Sequence, residues 1–278
     1  VMRRMLTALA IIASLPILLT GLLWAGQERL IFLPDPRRLM APDGWQMPAI
    51  RTADGLDLAF LVTEGRPDRP VILQFHGNGG NAGDRIGLFQ IFNNAGYSIV
   101  LAEYRGYGGN PGRPGEAFLV ADAGAYLVWT RTQFPGRPLV LWGESLGSAV
   151  ATRLATGSPD IAGVILESPM TSVADLARGM YPFLPTDLLL RHPFESLAHL
   201  PGIAAPILVV ATESDRITPA SHARRMAESA RSARLVMLPG GAHPAVLNDP
   251  SGEGARAALR FLATLPVGAP PVGTGAGR

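Results

Sequence analysis

Residues Leu139–Ala155 read LVLWGESLGSAVATRLA, a pattern typical of a buried strand followed directly by a helix. Between the two lies Gly143-Glu144-Ser145-Leu146-Gly147, a G-x-S-x-G motif. A nucleophilic serine on a sharp strand-to-helix turn needs this layout, because the neighbouring strand and helix crowd the turn and the positions two before and two after must be small. Gly143 and Gly147 meet that demand. The stretch predicts Ser145 as a nucleophile; the alternative is a glycine-lined turn that only packs a strand against a helix.

Strands and helices alternate on both sides of this stretch, which predicts an α/β protein with a mostly parallel, doubly wound sheet. The predicted strands are Leu56–Thr63, Val71–Phe75, Tyr97–Ala102, Leu139–Trp142, Ile161–Leu166, Pro206–Ala211 and Leu235–Leu238. The predicted helices are Asn81–Asn94, Glu116–Phe134, Leu146–Thr156, Pro219–Ala230 and Gly252–Leu265. Residues 46–265 form the predicted domain, and 170–205, rich in Pro, Leu and Phe, break the alternation as a cap insertion over the sheet.

A serine nucleophile needs a base, and the base needs an acid that fixes its tautomer. His243, in the sequence LPGGAHPAVL, follows the last predicted strand on a glycine-rich loop and is the candidate base. Asp215 follows the preceding strand and is the candidate acid, with Glu213 and Glu167 as competitors. The order serine, acid, histidine is that of α/β-hydrolases. The remaining histidines, which we do not assign to this site, are His76, His192, His199 and His222.

The glycine-rich stretch VILQFHGNGGNAGD, residues 71–84, fits two chemistries. In the first, its backbone approaches a developing oxyanion, which is bound by the N–H groups of Asn78 and Leu146. In the second, Gly77-x-Gly79-x-x-Ala82 is a dinucleotide-binding fingerprint, and Glu103 is the acid that binds a ribose. An NAD-dependent oxidoreductase is therefore a rival, although it leaves Ser145 without a role. A dinucleotide-binding fold normally opens on its fingerprint strand, whereas here another predicted strand comes first.

The composition limits the classes of function. Only 17% of the 278 residues are charged, the mean hydropathy is +0.22 and the formal net charge is +2. All basic residues are arginine, and no basic run is interleaved with aromatics, so nucleic-acid binding is not expected. The chain has no cysteine, which excludes disulfides and thiolate metal sites.

The N-terminal stretch LTALAIIASLPILLTGLLWA, residues 6–25, is uncharged. Its length of about twenty residues is enough to cross a bilayer as a helix. We expect residues 1–26 to form an uncleaved single-pass anchor with the catalytic domain on the extracytoplasmic side, a cleaved signal peptide being the alternative. Residues 27–45 are predicted to be a proline-rich connector, and residues 266–278 a disordered tail.

These motifs together resemble serine α/β-hydrolases of the BEM46-like group, with ABHD13- and ABHD17-like proteins as relatives. The motifs that carry the resemblance are FHGNGGN (75–81), EYRGYGGNPGRPGE (103–116), WGESLGSAVA (142–151), LESPMTSV (166–173), SDRITP (214–219) and GGAHPAVL (240–247). The resemblance implies an α/β-hydrolase fold, with Ser145, Asp215 and His243 as the triad and Asn78 and Leu146 as the oxyanion hole. It also implies activity on esters or thioesters. Glu103 replaces a more usual Asp, a difference that we expect to be structural.

The sequence thus predicts a membrane-anchored serine hydrolase that cleaves carboxylic esters or thioesters without metal or cofactor. Residues Met180–Phe194 of the cap either line a pocket for an apolar acyl chain or only pack the cap on the core. The expected partners are a small or lipid-like acyl substrate and, through residues 6–25, a membrane. The alternatives are a serine peptidase of the same fold, the oxidoreductase and a non-catalytic anchored scaffold.

Overall fold

Within residues 2–267, which the computed structural model describes, the chain forms nine strands and eight α-helices. The strands are β1 (Ala49–Arg51), β2 (Asp57–Ala59), β3 (Leu61–Thr63), β4 (Val71–Phe75), β5 (Ser98–Ala102), β6 (Leu139–Glu144), β7 (Ile161–Glu167), β8 (Ile207–Thr212) and β9 (Ala233–Leu238). The helices are α1 (Met2–Ile31), α2 (Ile86–Asn94), α3 (Glu116–Gln133), α4 (Leu146–Thr156), α5 (Val173–Met180), α6 (Thr186–Leu189), α7 (Ala220–Ser229) and α8 (Glu253–Leu262). Two 3₁₀ turns lie at Ala82–Arg85 and Leu197–Gly202.

The sheet explains where the site must lie. Seven strands pair in the order β3-β5-β4-β6-β7-β8-β9, and every pair is parallel except β3 with β5. The chain moves from β4 to β5 in one direction and continues from β6 in the other, so the connection reverses between β4 and β6. In open parallel sheets, sites form beyond the carboxyl ends of the strands at such a reversal. The loops after β4 and β6 are the two glycine motifs.

Helices cover both faces of this sheet, which confirms the predicted doubly wound arrangement. One apolar cluster joins the sheet to α3, α4 and α7, and the other joins it to α2 and α8. Most residues of the central strands are buried on both faces, as their continuous apolar runs predict. The cap consists of α5, α6 and the 3₁₀ turn at Leu197–Gly202, all within the predicted segment 170–205.

The predicted strand Leu56–Thr63 is wrong as a single element, because it divides at Phe60 into β2 and β3. Ala59, just before the division, is hydrogen-bonded through both backbone groups to the Asn110 side chain, at 2.8 and 2.9 Å. The amide thus replaces a neighbouring strand at this point. As a result, β2 pairs with β1 in a separate antiparallel hairpin, while β3 joins the edge of the main sheet.

The N-terminal helix differs from the predicted anchor. Helix α1 continues through Ile31, beyond the boundary at residue 26 and into the predicted connector, because Gln27, Ile31 and the following Phe32 are buried. Among the described residues, no helix has both the length and the apolarity needed to span a bilayer. The side chains of residues 3, 6–13 and 17, several of them in the predicted anchor, lie outside the described residues, as do residues 268–278 of the predicted tail.

Candidate active site

Ser145 lies on a strained turn between β6 and α4. Its φ of +50° and ψ of −115° place a non-glycine residue in a region that side chains rarely adopt. The glycines on either side leave no room for a side chain. A Cβ atom on Gly143 would lie 2.5 Å from the Cα of Ser148, and one on Gly147 would overlap the backbone of Phe75. Strand β6, helix α4 and the end of β4 approach one another so closely that only glycine fits at positions 143 and 147.

The structure brings together the three side chains that the sequence predicts as a triad. His243 Nε2 lies 2.8 Å from Ser145 Oγ, and His243 Nδ1 lies 2.8 Å from Asp215 Oδ2. A carboxylate accepts hydrogen bonds only, so Nδ1 carries the hydrogen and donates it to Asp215. Nε2 is then left as the acceptor for the serine hydroxyl. Geometry and tautomer together make His243 able to take the proton of Ser145.

Asp215 is held as a carboxylate by several donors. Its Oδ1 accepts the backbone N–H groups of Ile217 and Thr218 at 2.8 and 2.9 Å, and its Oδ2 also accepts the Thr218 hydroxyl at 3.0 Å. Burial raises the pKa of Asp215, but the hydrogen bond and charge of His243, together with these backbone donors, outweigh it and lower the pKa to about 2. The group facing His243 is therefore negative throughout the ordinary range of pH.

The two competing acids occupy other positions. Glu213 is exposed and forms an ion pair with Arg224. Glu167 is buried, and its Oε1 accepts the backbone N–H groups of Val246 and Leu247 at 2.8 and 2.9 Å. Burial, followed by the nearby charge of Glu144, raises the pKa of Glu167. Glu167 thus fixes the loop that carries His243 without touching the imidazole.

The predicted oxyanion residues lie beside the serine. Asn78, Ser145 and Leu146 line the same cavity. The carbonyl of Asn78 accepts the Tyr107 hydroxyl at 3.0 Å and the N–H of Leu33 at 3.2 Å, while its side-chain amide donates to the carbonyl of Ile31. The peptide of Asn78 is therefore fixed through its carbonyl and its side chain.

A buried ion pair supports the loop from below. Arg85 donates two hydrogen bonds to Glu144, at 2.9 and 2.5 Å, and Glu144 Oε1 also accepts the N–H of Gly77 at 3.1 Å. Glu144 is the residue directly before the serine. The pair therefore joins the elbow to the glycine loop that carries Asn78.

The same loop does not serve a dinucleotide in the way the rival interpretation requires. Glu103, the predicted ribose-binding acid, has no exposed surface. It accepts His76 Nε2 at 2.8 Å and the backbone N–H groups of Tyr104 and Ala82 at 2.8 and 2.9 Å. Its acceptor capacity is directed to the interior, which fits the structural role expected for this position.

A cavity of about 640 Å³ opens at Ser145, and most of its lining is apolar. Met180, Tyr181 and Leu184 of the cap line it, as do Leu189 and Leu190. Phe194, by contrast, is buried in the core. Part of Met180–Phe194 therefore lines the cavity, and another part packs the cap on the core.

Comparisons with known proteins agree with this architecture. The family described as serine aminopeptidase, S33, matches residues 66–192, and that described as TAP-like protein matches residues 191–270. An uncharacterized protein of Mycobacterium tuberculosis is 37% identical over 257 residues, covering 87% of this chain and 89% of the relative. The chain belongs to the α/β-hydrolase family.

More distant α/β-hydrolases extend the comparison. The lysophosphatidylserine lipase ABHD12 of Danio rerio is 30% identical over 204 residues, covering 66% of this chain and 53% of the relative, so the chain spans about half of that protein. The esterase Pf2001 of Pyrococcus furiosus has a TM-score of 0.67 at 17% identity, covering 84% of this chain and 97% of the esterase. At this identity the likeness shows the fold.

Sequence reasoning missed several residues that shape this α/β-hydrolase site. Thr218 contacts both Asp215 and His243, the latter at 3.2 Å. Its position three residues after the acid is a signal for a side chain that returns to the same carboxylate. His222, which the sequence analysis leaves outside the site, lines the cavity, is buried and is hydrogen-bonded to Thr171. The ion pair between Arg85 and Glu144 spans 59 residues and leaves no local signal.

Proposed function

We propose that this α/β-hydrolase cleaves carboxylic esters or thioesters of lipid-like acyl chains through an acyl-enzyme on Ser145. The single observation that carries the proposal is the connected series of hydrogen bonds from Ser145 through His243 to Asp215, which opens on an apolar cavity. A serine hydroxyl is a weak nucleophile until a positioned base accepts its proton.

In the first half of the proposed reaction, Ser145 Oγ forms a bond to the carbonyl carbon while its proton passes to His243 Nε2. The carbonyl oxygen becomes an oxyanion, which accepts hydrogen bonds from the backbone N–H groups of Asn78 and Leu146. The tetrahedral carbon then loses its alcohol or thiol, which leaves with the proton from His243. Asp215 stabilises the imidazolium while it exists.

The second half repeats these steps with water. His243 takes a proton from a water molecule, whose oxygen forms a bond to the acyl carbon. The bond from that carbon to Ser145 then breaks, the serine oxygen regains the proton from His243, and the acid is released. Each proton that leaves a nucleophile returns to a leaving group, so the cycle needs no further reactant.

An apolar acyl group is the substrate that the cavity favours. Burial of each methylene contributes about 0.8 kcal/mol, so an apolar cavity discriminates in favour of long chains. The Danio rerio relative is a lysophosphatidylserine lipase, an enzyme of the same chemical class. We also propose that the chain belongs to the BEM46-like subgroup, whose motifs its sequence resembles.

A serine aminopeptidase is the second candidate, because one matching family carries that description. An aminopeptidase pocket benefits from a free carboxylate that binds the substrate ammonium. Among the described residues that line the cavity, Asp175 supplies the only carboxylate, and it already accepts Thr171, Arg178 and Arg225. This occupied carboxylate favours the esterase over the peptidase.

Labelling with a fluorophosphonate probe tests the mechanism. We expect the parent protein to be labelled and Ser145→Ala to be unlabelled, with Ser251→Ala, a change in an exposed loop, as the matched control. Hydrolysis of p-nitrophenyl esters, acyl thioesters and aminoacyl anilides then ranks the substrate classes. A parent that is not labelled, or whose Ser145→Ala variant is labelled equally, contradicts the proposal; faster cleavage of the anilides supports the peptidase.

Membrane attachment through residues 6–25, with the catalytic domain on the extracytoplasmic side, stays a proposal. Its support is the uncharged run in the sequence and the exposed leucines that α1 carries at positions 15, 18, 19 and 22. Alkaline extraction of cell membranes distinguishes an attached protein from a released one. Protease access in intact cells then determines the side.

A further inference from the structure

One wall of the cavity comes from α1 and not from the catalytic domain or the cap. Leu23, Trp24, Gln27, Leu30 and Ile31 line the cavity together with Ser145. They occur at spacings of three and four residues, which place them along one side of the helix. The end of the predicted anchor and the start of the predicted connector therefore contribute side chains to the same space as the serine.

Gln27 fixes this part of α1 to the cap. Its side chain is only 5% exposed, and its amide is used at both ends: Nε2 donates to the carbonyl of Leu189 at 3.2 Å, and Oε1 accepts the N–H of Arg191 at 2.7 Å. The guanidinium of Arg191 also lies 4.1 Å from the centre of the Trp24 ring. A buried amide satisfied in this way holds one register, because any shift leaves polar groups unpaired.

The C-terminal end of α1 is also hydrogen-bonded to Asn78, on the loop after β4. The carbonyl of Ile31 accepts the side-chain amide of Asn78 at 3.2 Å, and the N–H of Leu33 donates to the carbonyl of Asn78 at 3.2 Å. Phe32, between them, is buried and packs its ring against Phe194 of the cap segment. The helix end thus contacts both the cap and the predicted oxyanion residue.

From these contacts we infer that the C-terminal part of α1, residues 23–31, is a specificity-determining wall of the acyl site. Leu23 and Trp24 limit the space available to the chain, and Gln27 is the positioning residue that holds the wall against the cap. This inference rests on the proposed function, since it concerns the acyl group that Ser145 receives. A helix that served only as a tether would have no need of a buried amide or of side chains in the cavity.

Substitution of Leu23 tests the wall directly. Leu23→Trp fills part of the cavity, and the matched control Leu22→Trp adds the same bulk to a neighbour that is 63% exposed and does not line the cavity. We expect Leu23→Trp to lower kcat/KM for p-nitrophenyl laurate by about tenfold, the cost of a modest overpacking, while hydrolysis of the acetate ester, whose short acyl group needs less of the cavity, falls much less. Leu22→Trp keeps the parent profile, and Leu23→Ala shifts the preference toward longer chains.

The same p-nitrophenyl esters separate the contribution of Gln27 from a general loss of stability. Gln27→Leu keeps a side chain of similar size but removes both hydrogen bonds to the cap. We expect its KM for the laurate ester to rise several-fold, while the rate of fluorophosphonate labelling, which needs no acyl wall, falls much less. Equal losses of labelling and of activity on all esters contradict a positioning role.

A binding measurement keeps the inference testable even if Ser145 is not the nucleophile. In Ser145→Ala, dibromostearate bound in the cavity is expected to quench the fluorescence of Trp24, and Trp24→Phe removes most of that quenching. Trp129→Phe, a change far from the cavity lining, leaves it in place. Quenching that persists in Trp24→Phe, or an ester profile unchanged in Leu23→Trp, overturns the inference. Absent labelling of the parent with intact quenching of Trp24 overturns only the proposed function.

Discussion

Two arginine–carboxylate pairs show how differently the sheet edge and the cap are built. Beneath the elbow, the side chains of Arg85 and Glu144 are 6% and 3% exposed. On the cap, those of Arg178 and Asp175 are 50% and 18% exposed. The buried pair is desolvated and shares its carboxylate with the N–H of Gly77, so it determines the position of a loop. The exposed pair is screened by solvent and contributes little.

The contrast extends along the whole edge of the sheet. Glu103, Glu144 and Glu167 lie at or just beyond the carboxyl ends of three strands, β5, β6 and β7, and each accepts the backbone N–H of a neighbouring loop. The cap meets the cavity mainly with leucine, methionine and tyrosine side chains. We conclude that hydrogen bonds fix the loops at the sheet edge. The shape of the cavity depends instead on apolar packing, which adapts to a substitution at a lower cost in free energy.

The largest expected effect comes from the acid of the triad. Asp215→Asn preserves the shape of the side chain but favours the wrong tautomer of His243, and we expect ester hydrolysis to fall by about 10⁴-fold with little change in folding. Steady-state rates and circular dichroism measure the two effects. The control Asp187→Asn changes an exposed acid of the cap and keeps the parent rate. An Asp215→Asn variant with most of the parent activity contradicts the triad.

The second prediction concerns the buried ion pair. Glu144→Ala removes both charge-assisted hydrogen bonds of the buried Arg85 guanidinium and leaves only the distant carboxylate of Asp84, at 3.9 Å, as a counter-ion. We expect the free energy of unfolding to fall by about 3–5 kcal/mol. Urea unfolding measures the loss. The double variant Arg85→Met with Glu144→Leu removes both charges and is expected to recover stability but not the hydrolytic rate, because Gly77 still lacks its acceptor. Recovery of both shows that the pair has no role in positioning the loop.

The third prediction concerns two buried carboxyl groups, those of Glu167 and Asp215, whose pKa values are shifted in opposite directions. The pKa of Glu167 is raised above its ordinary 4.5, so the folded protein binds more protons than the unfolded chain just above that pH, and stability falls as pH rises through this range. The pKa of Asp215 is lowered from 3.8 to about 2, so its contribution is present above 3.8 and is lost as pH falls.

Glu167→Gln isolates the first of these effects. We expect the free energy of unfolding of the variant to fall less steeply with pH, by up to about 1.4 kcal/mol per pH unit. The slope is the informative quantity, because the amide also changes the bond to Trp142 and offsets the whole curve. Parallel curves for parent and variant contradict the raised pKa.

Local signals predicted the elements that form the site. The bounds of β4 and α4 coincide with the prediction, since a mostly apolar strand ends just before a glycine-rich turn in one case and a helix begins directly after the glycine-flanked serine in the other. Ser145, Asp215 and His243 follow three different strands of one parallel sheet, and their common edge is a consequence of that topology. Chain position alone therefore placed them within reach of one another.

Contacts distant in sequence were not predictable in this way. The uncharged run of residues 6–25 predicts an anchor, whereas Gln27, a neutral polar residue buried against the cap, is the signal that this end of α1 packs on protein. The contacts between α1 and the cap join residues that are more than a hundred positions apart. No periodicity within α1 indicates which cap residues it meets.

The smallest expected effect sharpens the comparison from the side of the cap. Arg178→Gln removes ion pairs with Asp175 and Asp187, yet Asp175 keeps Arg225 and the hydroxyl of Thr171. We expect the thermal midpoint and the hydrolysis of short esters to match those of the parent protein at physiological salt, where exposed pairs are largely screened. Differential scanning calorimetry and ester kinetics measure both. A loss of stability comparable to that of Glu144→Ala contradicts this contrast between the sheet edge and the cap. It means that ion pairs on the surface, and not apolar packing, hold the cap in place.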